Sequence, residues 1–377
     1  MRVTLFTETF LPSRDGIVTR LTHTIEELSQ RGDDVLIVAP RIRGLPENYQ
    51  GVPVLSLPSI PFPLYRGFFL GSPILSKSAQ IALRHFQPEV VHIVNPVTIG
   101  LAGLRYAHHH KIPLVASYHT NIPEYTRRYG FSWAERPSRW YLRQIHNRAQ
   151  LNLCTSRSVQ GQLQSQGIKH VELWEPGIDV NLFNPARRSK AWRSRLTEDH
   201  SEKTILLYVG RLAPEKELEH ILAALPALTD CYMAFVGDGP KAESLRQAAK
   251  GLPVTFVGTL NGEELAAAYA SADIFVFPSS TETLGLVAIE AMASGLPVVG
   301  ARRGGLLDVI VDVETGLFFE PGSSIDFAHA LTYLANNREE RVAMARAARQ
   351  RALQWSWSAS TEGLRQKYAL LLEKLQK

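Results

Sequence analysis

Cysteine is scarce. Only Cys154 and Cys231 occur in 377 residues, and neither has a neighbour at metal-binding spacing. A disulfide framework and a zinc site are therefore both excluded, and each cysteine reads as a small buried hydrophobe. No run approaches ~18 uninterrupted apolar residues, which excludes a membrane-spanning helix. The opening MRVTLFTETF has no secretory apolar core or cleavage site, so a reducing, cytoplasmic setting is expected. The GxGxxG spacing of a dinucleotide fingerprint is missing after the first strand and from FVGDGP (Phe235–Pro240). That argues against a nicotinamide-dependent dehydrogenase. Short internal repeats and low-complexity tracts are lacking too.

What is present is a soluble composition, 45% hydrophobic and 20% charged, at a length that suits two domains. Charge is uneven: residues 1–180 hold 19 Lys and Arg against 13 Asp and Glu, and the remainder 22 against 23. The basic first half is expected to meet something anionic, a membrane surface or nucleic acid. Along that half, RVTLF, DVLIVAP, VPVLSL, EVVHIV, PLVASY and LNLCTS read as strands. Segments 17–31, 73–85, 98–110, 136–149 and 157–166 read as helices. Around EPGIDVNLFNPARRSKAW the pattern breaks into linker chemistry. A second series follows, with TILLYVG, YMAFVGD, VTFVGT, DIFVFPS and LPVVGA as strands. The fold class is α/β, two Rossmann-like, doubly wound parallel sheets in tandem. The expected domains are 1–180 and 181–356, with a C-terminal helix, 357–377, packing back on the first. Ligands in such folds sit at the carboxyl ends of strands, so a cleft between the facing sheets is the expected site.

The segment YVGRLAPEKELE runs from a strand into a helix. Gly210 lets the backbone approach a ligand, and Arg211 and Lys216 bring two cations to clamp a diphosphate. The competing reading pairs them with Glu215 or Glu219 on the surface. In PSSTETLGLVAIEAMASG, Gly285 marks a helix entrance whose first amides, near Leu284 to Val287, favour an anion by ~0.3–1 kcal/mol. Glu282 lies ahead of that helix and can accept from sugar hydroxyls. Glu290 interrupts an otherwise apolar face, needs a partner, and can reach ribose hydroxyls. In the first half, Gly16 opens helix one within ETFLPSRDGIVTRL, and His119 follows a strand in ASYHTNIPEY. His108–His110 read as an exposed last turn and not as a metal site.

Taken in order, DGIVTRL, YHT, VGRLAPEK, VGDGP and ETLGLVAIEAMASGLPVV resemble the retaining glycosyltransferases of the glycogen-synthase-like type (family 4), which have the GT-B fold. The resemblance spans nearly the whole chain, and Glu282 to Glu290 is its most specific mark. Within that family the chain is most similar to the sulfolipid synthases, through YHTNIPEYTRRYGFSW, LNLCTS, ELWEPGID, LNGEELAAAYASAD and TETLGLV. The resemblance implies transfer of sulfoquinovose from UDP-sulfoquinovose to diacylglycerol, with transfer of mannose, glucose or glucuronate to a lipid as the alternative. It implies catalytic roles for Arg211, Lys216, His119 and Glu282, with Arg211 and Lys216 on the diphosphate and leaving UDP. Glu290 would hold the ribose and Glu282 the donor sugar. Backbone at Gly210, Thr283, Leu284, Gly285 and Leu286 would line the nucleotide sugar, and Gly16 would let helix one reach the phosphates. His119 would lie near C6 of the sugar. No cofactor or metal is required, although Mg²⁺ could assist. Asp15-Gly16 stands where relatives have two glycines, Glu282-Thr283-Leu284-Gly285 replaces Glu-Gly-Phe-Gly, and Trp174–Asp179 replaces Pro-Asn-Gly-Val-Asp.

A C6 sulfonate needs cations or N–H donors when desolvated. Arg20 is the preferred ligand, with Arg127 or Arg128 and His119 beside it. The competing reading has Arg20 bridge to Asp15 or Glu26. For the acceptor, Pro58–Lys77 carries aromatics and prolines with Arg66 and Lys77, and Tyr125–Arg148 interleaves arginines with Tyr, Phe and Trp. Both suggest peripheral docking on an anionic plasma or thylakoid membrane, worth ~1 kcal/mol per well-placed cation. The alternative buries the aromatics in a core. A nucleotide-sugar epimerase and an RNA-binding protein are weaker rivals, and no nucleic-acid partner is expected because no RNA-binding module is present.

Overall fold

The computed structural model describes every residue except Arg14, residues 63–68, Asn95, Tyr129 and Lys377, together with the side chains of all but Tyr125, Arg127, Arg128 and Gln376 among the rest. The chain divides into two compact units. The first comprises Met1–Pro123, Trp133–Gly177 and Trp357–Lys377, the second Glu124–Ser132 and Ile178–Ser356.

The first unit is built on strands β1 (Arg2–Thr7), β2 (Asp34–Pro40), β3 (Val52–Leu57), β4 (Val90–Val94), β5 (Leu114–Tyr118), β6 (Leu151–Cys154) and β7 (Val171–Leu173). They pair in parallel in the order β7-β6-β5-β4-β1-β2-β3, and the two-residue strand Asn48–Tyr49 closes the edge antiparallel. Period-two alternation sends side chains to opposite faces. Val3, Leu5, Ile37, Ala39 and Val115 therefore join one core, while Phe6, Leu36, Val38, Ile93 and Ala116 join another. Such strands, buried on both faces, read as nearly continuous apolar runs.

Helix α1 (Gly16–Gln30) lays Leu21, Ile25 and Leu28 on the first of these cores. The C-terminal helix α6 (Trp357–Gln376) places Leu364, Tyr368 and Leu371 in the same core. Each fully buried leucine contributes ~1.5–3 kcal/mol, which explains why residues 357–377 group with the first unit. Helix α2 (Ile99–His110) covers the opposite face, and its last turn, His108–His110, is exposed. Helix α4 (Glu135–His146) follows a short helix α3 (Ile122–Arg128).

The second unit holds strands β8 (Thr204–Val209), β9 (Cys231–Val236), β10 (Val254–Gly258), β11 (Ile274–Phe277), β12 (Val298–Ala301) and β13 (Gly316–Phe319). Their order, β10-β9-β8-β11-β12-β13, is parallel throughout. Chain order reverses between β1 and β4 in one sheet and between β8 and β11 in the other. The carboxyl ends of those strand pairs are where doubly wound sheets take ligands. Cys154 and Cys231 are both buried.

Candidate functional site

The β8–β11 switch point brings the sequence-predicted residues of the second unit together. Beyond β8 come Gly210 and Arg211, then a single 3-10 turn, Pro214–Lys216. Beyond β11 comes the loop that carries Glu282 and enters helix α5 (Leu286–Ala293). Lys216 Nζ makes a short charge-assisted bond to Glu282 Oε1, and Ser279 Oγ donates to the same oxygen at 2.8 Å. Both charged side chains retain 15% exposure, so a ligand can still reach them. Burial works against the Lys216 ammonium, but the Glu282 carboxylate outweighs it and holds the lysine pKa above its ordinary value. Arg211 is half-buried; burial lowers its pKa and Glu215 opposes the shift. Of the surface partners weighed for Lys216, Glu219 pairs with Lys241 at 3.0 Å.

Glycines make this packing possible. Gly237 sits at φ +133°, and a Cβ there would lie 2.0 Å from the Gly210 carbonyl oxygen. FVGDGP is thus the partner surface that presses VGRL into place. Gly304 and Gly305, which the sequence reading passed over, do the same for the acidic loop. A Cβ on Gly304 would fall 2.3 Å from the Glu282 carbonyl oxygen, and Gly305 N donates to that oxygen at 2.7 Å. A Gly-Gly pair shortly after a strand was the available signal. Gly285 takes the left-handed conformation at φ 82°, and no side chain caps α5. Its first amides are therefore available to an anion. The Leu284 side chain is buried in the unit's core with Leu286 packed against that core, which leaves the Leu284 backbone as its only route to a ligand.

Glu290 has a partner that the sequence did not reveal. The buried Tyr269 hydroxyl donates to Glu290 Oε2 at 2.9 Å. Burial pushes the Glu290 pKa up to about 7, against the lowering effect of that hydrogen bond. Burial also raises the Tyr269 pKa well above its ordinary value, so the phenol keeps its proton and remains the donor.

The switch point of the first unit is filled by its own carboxylates. Gly16 opens α1 as expected, but Asp15 caps the helix and accepts from the amides of Ile17 and Val18, each at 2.9 Å. Beyond β1, the buried Glu8 accepts from Val97 N at 2.9 Å, Gly100 N at 3.0 Å and the Thr98 hydroxyl at 3.1 Å. Burial raises the Glu8 pKa in spite of those bonds.

His119 follows β5. Its Nε2 lies 2.8 Å from Ser117 Oγ, and its ring meets Trp174 edge-on at 5.5 Å. Burial, and then the nearby Arg20 guanidinium, hold its pKa well below the ordinary value, so the imidazole is neutral near pH 7. Arg20, the expected sulfonate ligand, lies inside the first unit. Arg20 is only 2% exposed and donates through Nη2 to the carbonyls of Trp174 and Glu175, each at 2.6 Å. Its guanidinium stacks 4.0 Å from the Trp174 ring centroid, and burial lowers its pKa to about 9. The alternative pairing is not formed, since Asp15 caps α1 and Glu26 accepts from Tyr49. Arg20 instead anchors the Trp174–Asp179 segment. The Arg127 and Arg128 side chains fall outside the described residues, as does Arg66.

On α4, Leu142, Ile145 and His146 are buried, whereas Arg136, Arg139 and Arg143 are exposed. Trp133 and Trp140 are exposed by 77% and 59%, so these two aromatics are not core. In Pro58–Lys77, Ile60 and Ile74 are exposed as well. Among the described residues, no helix is long and apolar enough to cross a membrane and no acidic, His or Cys group could hold a metal.

Residues 14–182 match the model described as Glycosyltransferase Family 4, and residues 190–351 match that of glycosyl transferases group 1. The chain is similar to sulfoquinovosyl transferase SQD2 of Arabidopsis thaliana, 38% identical over 374 residues, 97% of this chain and 72% of that protein. It is also similar to the GDP-mannose-dependent alpha-mannosyltransferase of Mycolicibacterium smegmatis, 36% identical over 379 residues, 99% of this chain and 98% of that protein. Among solved structures, the sucrose-phosphate synthase of Thermosynechococcus elongatus has a TM-score of 0.82 at 22% identity, over 99% of each chain.

Proposed function

The chain belongs to the family 4 glycosyltransferases, with two parallel-sheet domains of the GT-B type, and from that premise we propose that it moves sulfoquinovose from UDP-sulfoquinovose to diacylglycerol with retention at the anomeric carbon. The observation that carries the site is an asymmetry. The helix amides at the first unit's switch point are taken by Asp15 and Glu8, whereas α5 of the second unit is uncapped and has Lys216 beside it. An anionic nucleotide end therefore belongs in the second unit. There Arg211, Lys216 and the α5 amides take the diphosphate, Glu290 takes the ribose hydroxyls and Glu282 takes hydroxyls of the sugar.

The Lys216–Glu282 pair suits this role because it positions both groups before the ligand arrives, which limits reorganisation. In the transfer, the acceptor hydroxyl oxygen attacks the anomeric carbon from the face that UDP leaves. The bond from that carbon to the diphosphate oxygen breaks, the glycosidic bond forms, and the hydroxyl proton passes to the departing phosphate. Arg211 and Lys216 stabilise the charge that develops on UDP. No protein nucleophile and no metal are required, and Mg²⁺ would only assist. The exposed Trp133, Arg136, Trp140 and Arg143 would hold the enzyme on an anionic membrane from which diacylglycerol is drawn.

Support for the sulfonated donor is the 38% identity to sulfoquinovosyl transferase SQD2. A second reading, mannose from GDP-mannose, is favoured by the 36% identity to the mycobacterial mannosyltransferase. Purified protein with diacylglycerol vesicles and UDP-sulfoquinovose, UDP-glucose or GDP-mannose in turn separates them. Mass spectrometry is expected to find sulfoquinovosyldiacylglycerol as the dominant glycolipid; a mannolipid formed faster would overturn the sulfolipid reading.

A further inference from the structure

We infer that Tyr269 is a positioning residue for nucleotide recognition: its buried hydroxyl holds Glu290 Oε2, which sets the orientation of the carboxylate and leaves Oε1 to accept from the ribose 2′ and 3′ hydroxyls. The inference deepens the proposed contact between Glu290 and ribose and rests on it. Both residues belong to the second unit.

The tyrosine itself is held firmly. It stands in the last turn of the helix Gly262–Ser271 and is completely buried. Phe183 meets its ring edge-on at 5.7 Å between centroids, and Phe275 of β11 lies tilted against it, also at 5.7 Å. At the end of the helix, Arg193 donates to the Ser271 carbonyl and Arg188 to the Ala272 carbonyl, each at 2.9 Å. The ring is thus fixed from both sides, and its hydroxyl donates to Glu290 Oε2 at 2.9 Å. Glu290 is only partly buried, so a ligand can reach it. From the second turn of α5 its Cα–Cβ bond tilts toward the helix N-terminus, the uncapped end where the diphosphate is proposed to sit.

Proton counting ties this pair to the ligand. A buried O–H without an acceptor is costly, and Glu290 is the acceptor the structure gives this phenol. Burial raises the Tyr269 pKa well above its ordinary value, so the phenol keeps its single proton. An ionised Glu290 accepts from it and still has lone pairs on Oε1, whereas a protonated Glu290 must place its own hydrogen on one of the two oxygens. The state that Tyr269 favours is therefore the state that ribose hydroxyls need.

Other ionisable groups on the neighbouring elements are engaged elsewhere. Glu263 and Glu264, in the first turn of the Tyr269 helix, pair with Arg187 and Arg195 at 3.4 and 3.5 Å. Arg349, from the helix Arg338–Ala352 packed on α5, donates to the carbonyls of Ala293 and Phe183 at 2.5 and 2.8 Å. Arg351 of the same helix donates to the carbonyls of Asp308 and Val309 at 2.6 and 2.8 Å. The Tyr208 hydroxyl donates to the Arg211 carbonyl at 3.0 Å, and Lys216 pairs with Glu282. Burial and the Tyr269 hydroxyl set the proton affinity of Glu290, in opposite directions.

The test is calorimetric titration of UDP-glucose and of its 2′-deoxyuridine counterpart into the full chain, from about pH 6 to about pH 9, for the parent and Tyr269→Phe. Phenylalanine keeps both ring contacts and removes only the hydroxyl. In Tyr269→Phe the pH below which UDP-glucose affinity falls is expected to rise by about half to one pH unit, because the lost hydrogen bond favoured the ionised carboxylate. The parent is expected to prefer the ribose form by about tenfold or more at about pH 8. Equal binding of the two ligands by the parent overturns the ribose contact, and this use of Tyr269 with it. With that preference present, an unmoved midpoint in Tyr269→Phe, with affinity unchanged or lowered equally at every pH, overturns the role of Tyr269 alone. Should Tyr269→Phe fail to fold, Tyr269→3-fluorotyrosine, a stronger donor of nearly the same shape, is expected to lower the midpoint. An unmoved midpoint there overturns the inference equally.

Discussion

Glu290 is a carboxylate held near the midpoint of its titration, at a pKa of about 7. Its folded-state pKa lies above the usual 4.5, so the folded chain holds this proton more tightly than the unfolded one. Stability from this group consequently falls as pH rises from the unfolded value through about 7. If ribose hydroxyls donate to the ionised form, as proposed, nucleotide binding must expel the proton. Below the folded pKa, affinity then drops by about tenfold per pH unit. UDP-glucose, whose diphosphate does not titrate here, is expected to bind about tenfold more weakly at about pH 6 than at about pH 8. Glu290→Gln is expected to bind weakly and without that dependence. Calorimetric titrations at the two pH values check this, and a pH-independent parent would contradict it. Glu282, Glu290 and Lys216 were legible in the sequence because each is a charge placed where an apolar or turn residue would be expected. Tyr269 was not, because it reaches Glu290 only through the fold, from 21 residues away.

Element boundaries show what local pattern can carry. The helix expected over 73–85 starts at Lys77, because Ser76 caps it by accepting from Ala79 N at 3.2 Å. The helix expected over 136–149 ends at His146, because Asn147 is tied to the Gly167 carbonyl and the Lys169 amide, each at 2.9 Å. Such ties come from residues about 20 positions away, beyond the reach of a helical period. The amphipathic face of α4 was legible, since Arg136, Trp140 and Arg143 recur at helical spacing. If that face meets anionic lipid, replacing Arg136, Arg139 and Arg143 with Gln should weaken vesicle binding by ~1 kcal/mol per effective cation and flatten its salt dependence. Donor binding in the second unit should persist. Vesicle sedimentation across a salt series measures the first, and equal sedimentation of variant and parent would discard a membrane role for this helix.

For the whole molecule, the two parallel sheets followed from strand-like and helical runs that alternate, and the sheet orders place the reversal at β1–β4 and β8–β11. What the alternation could not disclose is the unequal state of those two positions. Both lie beyond strand ends and both receive a glycine-led helix, yet Asp15 and Glu8 satisfy the first internally while α5 stays open beside Lys216. On that inequality rests the proposal that the nucleotide binds the second unit. Its most direct test is calorimetric titration of UDP into the parent, Lys216→Ala and Glu290→Gln. Each variant is predicted to lose about 1.5–3 kcal/mol, about a 10- to 150-fold weaker affinity, because each removes a charged partner of the nucleotide end. Unchanged UDP affinity in both folded variants would contradict it and move the nucleotide elsewhere.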